Sequence, residues 1–314
     1  MTVSLPEDFK DANAFIERMH GIYGEVEGDR ILAGMSRSDS TATYWFNPLK
    51  PTSVSLPGDP LAGLVSVFVC ADRDAITRSE AATAGHVYVQ NASSYYAVSC
   101  LRLETGMEVL DLAAAPGGKT IAIAALLNNT GRIAAVEPIV RRFHRLRSNL
   151  ERCGATNVAY YQKDGRGVGR AVPELFDRVL VDAPCSSEAR MRWDNVDSYK
   201  HWQLRKLKET RRKQKALIMS GYQALKPGGL LLYCTCSFAP EENELVVKHL
   251  LKRTDAEVDP LDFDAELPLH SGLTEWQGRK LGETLAGTAR VVPVGVWEGF
   301  YLARIRKPPS NLDV

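Results

Sequence analysis

The chain has 314 residues, 45% of them hydrophobic, and a formal net charge of +1. That length can bury a substantial core, and no apolar run approaches the roughly 18 residues that a bilayer-spanning helix needs. The first residues lack a basic stretch followed by an apolar one, and the six cysteines lack paired spacing; the expectation is a cytoplasmic protein with reduced thiols, no export signal and no membrane contact.

Residues 1–104 are richer in Ser, Thr, Pro and Gly, with strand-like pieces at 42–46 and 64–69, and predict a small α+β region. From about 105 to 307 the pattern changes. Apolar segments at 107–112, 132–137, 157–161, 176–182 and 229–236 read as strands, and amphipathic stretches at 119–127, 140–152, 199–225 and 241–251 read as helices. The long basic helix should stop at Lys226-Pro227-Gly228-Gly229, and residues 299–305 form a last strand. Such alternation predicts an α/β chain, a doubly wound and mostly parallel sheet covered on both faces. Residues 308–314 read as a disordered tail.

The small net charge hides a segregation. Residues 138–215 carry 19 Lys and Arg against 9 Asp and Glu, and residues 240–290 carry 6 against 11. A concentrated positive field suits a polyanion, because each phosphate contact releases counterions. Nucleic acid is therefore an expected partner, with the basic helix at 199–215 as one candidate surface.

In open α/β sheets ligands bind beyond the carboxyl ends of the strands, so the loops there bear the candidate residues. After the first strand, Ala113-Ala114-Ala115-Pro116-Gly117-Gly118-Lys119 is a tight turn of small residues leading into a helix. Its glycines permit close backbone approach, and the helix start favours negative charge. Neither the Gly-x-Gly-x-x-Gly dinucleotide fingerprint nor the phosphate-loop spacing is present. Glu137, closing the second strand, can accept from two ribose hydroxyls, and Asp164, after the third, can take an adenine amino group.

Two cysteines lie at or just past strand ends, in Asp182-Ala183-Pro184-Cys185-Ser186 and Thr235-Cys236-Ser237. If those strands are neighbours, both thiols face one pocket. Cys70, Cys100, Cys153 and Cys234 read as small buried hydrophobes. No His/Cys cluster has zinc spacing, so no metal is expected. Position alone leaves Cys185 and Cys236 unranked.

Over residues 80 to 305 these motifs resemble the RsmB/RsmF and Sun-type family of RNA cytosine-5 methyltransferases. Gly85-x-x-x-x-Gln90-x-x-Ser93 is similar to the segment that precedes the family's catalytic fold. Ala113 to Lys119 resembles its cofactor motif, and Asp182-Ala-Pro-Cys-Ser and Thr235-Cys-Ser its two cysteine motifs. The resemblance implies a class I, Rossmann-like methyltransferase with a seven-stranded, mostly parallel sheet at 105–307 and an RNA-binding region at 1–104. It implies S-adenosylmethionine as cofactor, held by Ala113 to Lys119, Glu137, Asp164 and Asp182. Lys119, Asp182, Cys185 and Cys236 become the catalytic set, with Cys236 as nucleophile and Cys185 assisting release. Arg142 and Arg147 fall where the family has basic residues, as RNA or cofactor contacts.

The chemistry explains the thiolate. Carbon 5 of cytosine is a weak nucleophile until a thiolate adds to carbon 6, which divides one hard step into easier ones. That addition needs a proton donor or hydrogen-bond partner at ring nitrogen 3, a role for Asp182, and a base must later remove the carbon-5 proton. Ribosomal RNA is the first expected substrate and transfer RNA the second, with a monomeric chain and an accessory protein as a candidate partner. The alternative is a non-catalytic RNA-binding or ribosome-assembly factor on the same fold. Where the family often has Arg-x-Asn-x-x-Lys, this chain has Trp45-Phe46-Asn47-Pro48-Leu49-Lys50. Ser187-Glu-Ala-Arg-Met-Arg-Trp193 replaces a more glycine-rich loop. Both departures are expected on RNA-facing surface.

Overall fold

A computed structural model describes residues 5–36 and 40–310. Helices α1 (Ala12–Tyr23) and α2 (Glu25–Gly34) come first. A four-stranded antiparallel sheet follows, made of β1 (Ala42–Phe46), β2 (Asp59–Pro60), β3 (Val67–Cys70) and β4 (Val87–Val89) in the order β2-β3-β1-β4. Helices α3 (Arg73–Thr77) and α4 (Glu80–Ala84) lie between β3 and β4, and α5 (Ala92–Ser99) comes after them. The strand expected at 64–69 starts only at Val67, because Gly63 and Ser66 take φ of 75° and 67° and spend those residues on a turn.

The second part runs β5 (Glu108–Asp111), α6 (Gly118–Leu126), β6 (Arg132–Val136), α7 (Val140–Arg152), β7 (Val158–Tyr161), α8 (Val168–Ala171) and β8 (Phe176–Asp182). Then come α9 (Val196–Tyr199), α10 (Leu204–Ala224), β9 (Leu225–Thr235) and α11 (Glu244–Leu251). Short strands β10 (Glu257–Val258), β11 (Leu269–Ser271), β12 (Glu275–Trp276) and β13 (Arg279–Lys280) precede β14 (Ala289–Val291) and β15 (Phe300–Arg306). Five strands are parallel, in the order β7-β6-β5-β8-β9; β15 is antiparallel to β9, and β14 to β15. These seven are the expected class I sheet. It is widened to nine because β10 pairs with β15 and β11 with β14.

The centre of the sheet is covered on both faces. Val109, Leu110, Val179, Leu180, Val181, Leu231 and Leu232 are fully buried, and burial of each such side chain stabilises the fold by roughly 1.5–3 kcal/mol. Because β6 lies on one side of β5 and β8 on the other, the strand order reverses beside β5, which opens a crevice at the carboxyl ends.

Two expectations change in detail. The helix expected at 199–225 is broken before Leu204, because the buried Trp202 directs its Nε1–H to Glu188 Oε1 at 2.7 Å. Lys226-Pro227-Gly228-Gly229 does end α10, but it is absorbed into β9 as an irregularity. Phe176 pairs with Leu225 and Arg178 with Leu230, and Gly228 takes a φ of 76°.

The N-terminal helices pack on the second part of the chain. The Phe9 ring lies tilted at 5.8 Å from Trp193 and 5.5 Å from Tyr199, and Phe15 lies 5.1 Å from Trp202. One cluster of buried side chains runs from Phe9 and Phe15 to Leu302, across the boundary expected near residue 104. Pro308, at the start of the expected tail, accepts a hydrogen bond from the Gly228 N–H at 3.4 Å, and residues 311–314 lie outside the described residues. Among the described residues no helix is long and apolar enough to cross a membrane.

Candidate active site

Strands β8 and β9 are parallel neighbours with Asp182 opposite Cys234, so the segments leaving them run side by side. Cys185 and Cys236 are thereby brought to an Sγ–Sγ distance of 3.3 Å, both as free thiols. They line a cavity of about 450 Å³ together with Ala113, Ala114, Ala115, Pro116, Gly118, Lys119 and Asp182. Nine of the expected site residues thus meet in one place.

The two sulfurs are not equivalent. Cys236 is held below the ordinary thiol range: the Cys185 hydrogen bond favours its thiolate and outweighs burial, with help from the Arg190 cation and the Ser187 hydroxyl. Ser187 Oγ lies 3.6 Å from Cys236 Sγ. Cys185 is pushed well up, first because its proton is held towards Cys236 and then by burial. Of the two sulfurs, Cys236 is the one whose surroundings favour the thiolate, and Cys185 the one whose surroundings favour the thiol.

Lys119, only 7% exposed, donates Nζ–H to Asp182 Oδ2 at 2.7 Å, and its ammonium lies 5.1 Å from the Phe300 ring centroid. Burial works against the charged amine, but Asp182 outweighs it and raises the Lys119 pKa. Behind this pair Asp111 accepts from Thr120 Oγ1 at 2.8 Å, and burial pushes its carboxyl up to about 6.

The turn from Ala113 to Lys119 needs its glycines for two reasons. Gly117 sits at φ 111°, and a Cβ on Gly118 would stand 3.1 Å from Tyr88 Cε1 and 3.2 Å from its hydroxyl. Gln90 and Asn91 line the same cavity; Gln90 Oε1 accepts from Trp45 Nε1 at 2.9 Å. The Gly85–Ser93 segment therefore joins the small antiparallel sheet to the cavity wall.

Neither Glu137 nor Asp164 lines this cavity; Asp164 lines a separate one with Tyr161 and Lys163. Glu137 is 1% exposed; Oε1 accepts from the Ile139 N–H at 3.0 Å, but Oε2 has no hydrogen-bond partner and only the Arg142 guanidinium at 3.5 Å. A buried carboxylate oxygen in that state has an unused acceptor, which suits a hydroxyl-bearing ligand. Arg142 lines the cavity and donates Nη2–H to the Ala115 carbonyl at 2.7 Å. The half-exposed Asp164 accepts from Arg166 Nη2 at 2.5 Å and from the Arg166 N–H at 3.0 Å, an arrangement that caps the short turn after it. Arg147 pairs with Glu151 at 3.2 Å and lies 5.7 Å over the Tyr160 ring, away from the cavity.

Two buried carboxylates that sequence reasoning did not single out hold the cysteine loops in register. Glu188 accepts from Trp202 Nε1 (2.7 Å), Ser237 Oγ (3.1 Å) and the N–H groups of Phe238 and Ala239 (2.9 Å each). Glu242 accepts from the Ser186 N–H (3.1 Å), Ser186 Oγ (2.5 Å) and Gln214 Nε2 (3.3 Å). Each carboxylate reaches across from one cysteine loop to the other. Burial raises both pKa values, that of Glu242 to about 7 with Glu188 adding to the shift. The sequence signal was there: acidic residues three beyond Cys185 and six beyond Cys236, but which donors they meet depends on the strand pairing.

The two departures from the family pattern occupy different places. Asn47 is 1% exposed and donates Nδ2–H to the Gly85 and Cys153 carbonyls, and Lys50 Nζ reaches the Ala84 and Arg152 carbonyls; both serve as internal ties between the small sheet and α7. From the Ser187–Trp193 loop, Glu188 and Trp193 point inward, whereas Arg190 and Arg192 line a second cavity. On α10, Arg205, Lys206, Lys208, Arg212 and Lys213 are exposed, while the buried Gln214 donates to the Pro184 carbonyl at 3.0 Å.

Residues 98–306 match the family described as 16S rRNA methyltransferase RsmB/F. The chain is 44% identical over 229 residues to ribosomal RNA small subunit methyltransferase F of Vibrio vulnificus (strain YJ016), covering 72% of this chain and 46% of that protein. A protein of the same name from Erwinia tasmaniensis is 43% identical over 232 residues, 72% of this chain and 46% of its own length. The chain therefore spans about half the length of the curated relatives it matches. A crystal structure of a methyltransferase homolog protein from Pyrococcus horikoshii is similar over 97% of this chain and 100% of its own, at 30% identity and a TM-score of 0.81. NSun6 from Pyrococcus horikoshii, solved with SFG, shares the fold at 19% identity and a TM-score of 0.72.

Proposed function

Because this chain belongs to the 16S rRNA methyltransferase RsmB/F family, we propose that it methylates carbon 5 of a cytosine in ribosomal RNA, with the Cys236 thiolate as nucleophile. S-adenosylmethionine is the cofactor of this methyltransferase class, and when bound it supplies an electrophilic methyl group. The residues present suit it. The unpartnered Glu137 Oε2 offers an acceptor for ribose hydroxyls, and the small side chains of Ala113 to Gly118 leave room beside Lys119 and Asp182. Asp164 would join them at the adenine end by exchanging its Arg166 partner.

The observation that carries the reading is the asymmetric thiol pair, 3.3 Å apart in a cavity bounded by the cofactor turn. Cys236 Sγ attacks carbon 6 of the base, forming an S–C bond and sending electron density towards ring nitrogen 3. The Lys119–Asp182 pair supplies the proton or hydrogen bond there, since Lys119 stays protonated. Carbon 5, now enamine-like, would receive the methyl group of a bound S-adenosylmethionine as its sulfonium–methyl bond breaks and a neutral thioether is left. A base then removes the carbon-5 proton, and the electron pair left behind expels Cys236 Sγ as thiolate. We assign that last step to Cys185. Once Cys236 is a thioether it no longer draws on the Cys185 proton, and the largest cause of the raised Cys185 pKa disappears.

The test is incubation of the purified chain with tritiated S-adenosylmethionine and separate pools of ribosomal and transfer RNA. Label recovered as 5-methylcytosine in ribosomal RNA is the expected result. Label in another nucleotide, or in transfer RNA alone, would overturn the proposal.

A further inference from the structure

A second cavity of about 530 Å³ adjoins the one that holds the cysteines, and both are lined by Val89, Gln90, Asn91 and Arg190. Beyond that shared wall its cations are Arg73 and Arg192, and its one carboxylate is Glu298, already 3.8 Å from Arg190 Nε. Arg192 is steadied by Nη1–H bonds to the Ala189 and Met191 carbonyls at 3.2 and 2.8 Å. Among the described residues neither Arg73 nor Arg192 is paired with a carboxylate. The basic face of α10 plays no part in this cavity.

We propose that this second cavity binds the phosphodiester of a nucleotide next to the target base, on an unpaired stretch of the same RNA strand. The inference rests on the RNA-methylation reading and deepens it. A base whose carbon 6 must reach Cys236 has left its stack, but it remains joined to its neighbours, whose phosphates have to lie against the protein. The cavity that shares a wall with the cysteine cavity brings three arginines and one carboxylate to that point. Guanidinium groups suit phosphate oxygens because they offer paired donors in a plane. Two of these arginines stand on the loop that follows Cys185. That loop therefore serves both ends: Glu188 fixes it to the Cys236 segment, while Arg190 and Arg192 meet the strand that delivers the base.

The test uses a fluorescein-labelled single-stranded RNA 12-mer rich in cytosine, titrated by anisotropy at several salt concentrations. Arg73→Ala is expected to bind roughly 3–10-fold more weakly, with the slope of log affinity against log salt smaller in magnitude by about 1. Arg73→Lys should restore the slope, and Arg253→Ala, an exposed cation outside both cavities, should leave the affinity within about twofold of wild type. In turnover, Arg73→Ala should raise KM and leave kcat unchanged. Wild-type affinity and slope in Arg73→Ala, or equal losses in Arg73→Ala and Arg253→Ala, would overturn this assignment while the methylation assay still stands. Absence of methyl transfer to RNA by the wild-type chain would instead strike the reading beneath it.

Discussion

The two ends of the proposed catalytic cavity are built in different ways. The proposed cofactor end is a single continuous turn, Ala113 to Lys119, shaped by small side chains and by glycines at Gly117 and Gly118. The cysteine end is two separate segments, Cys185–Ser187 and Cys236–Ala239, joined by the buried carboxylates of Glu188 and Glu242. One end is local backbone geometry; the other depends on long-range polar bonds in a dry setting, where a lost partner leaves donors stranded. The cysteine end should therefore be the more fragile, and damage there should not spread to cofactor binding.

Substitutions can sharpen or break that contrast. The largest effect expected is from Cys236→Ala, which should lower methyl transfer by at least roughly a thousandfold. Cofactor affinity, followed by isothermal titration, should stay close to wild type; turnover within a few-fold of wild type would remove the nucleophile from the account. Next comes Glu188→Ala, which strands the donors of Trp202 and Phe238, while Ser237 and Ala239 lose one of their two partners. Unsatisfied buried donors cost about 1–3 kcal/mol each, so a loss of about 3 kcal/mol or more in urea unfolding is expected. A loss below about 1 kcal/mol would mean that the two loops hold together without it.

At the other end, Glu137→Gln should weaken S-adenosylmethionine binding about tenfold, or about 1.4 kcal/mol, with little change in stability. Unchanged affinity would place the ribose elsewhere. The smallest effect is a pH shift. The Arg190 cation favours the Cys236 thiolate, so removing it must raise that thiol's pKa. Alkylation of Cys236 by iodoacetamide speeds up as pH rises and the thiol ionises. In Arg190→Gln the same rise should occur at higher pH, and an unmoved profile would remove the Arg190 cation from the causes of the lowered value.

The same contrast explains what the sequence made legible. The central strands are runs such as Val179-Leu180-Val181 that can only be buried on both faces, and Val140–Arg152 and Phe176–Asp182 have the limits their patterns predict. The Ala113–Lys119 turn is contiguous, so its small side chains and its glycines could be read in order. Other features are set by pairings between residues 14 to 106 positions apart in the chain. Trp202 leaves the helical path to meet Glu188, and β10 and β11 add to the sheet edges through partners that no local pattern announces. Asn47 and Lys50 have the residue types of an RNA contact, yet they tie the small sheet to α7 through carbonyls that sequence spacing does not reveal.

The most direct measurement of the central claim is intact-protein mass spectrometry of Cys185→Ala after incubation with S-adenosylmethionine and ribosomal RNA, followed by ribonuclease digestion and peptide mapping. A thiol that attacks but cannot be released should leave a methylated cytosine nucleotide attached at Cys236, and the Cys185→Ala, Cys236→Ala double variant should carry none. Attachment at any other residue, or wild-type turnover by Cys185→Ala with no adduct, would contradict the division of labour between the two cysteines.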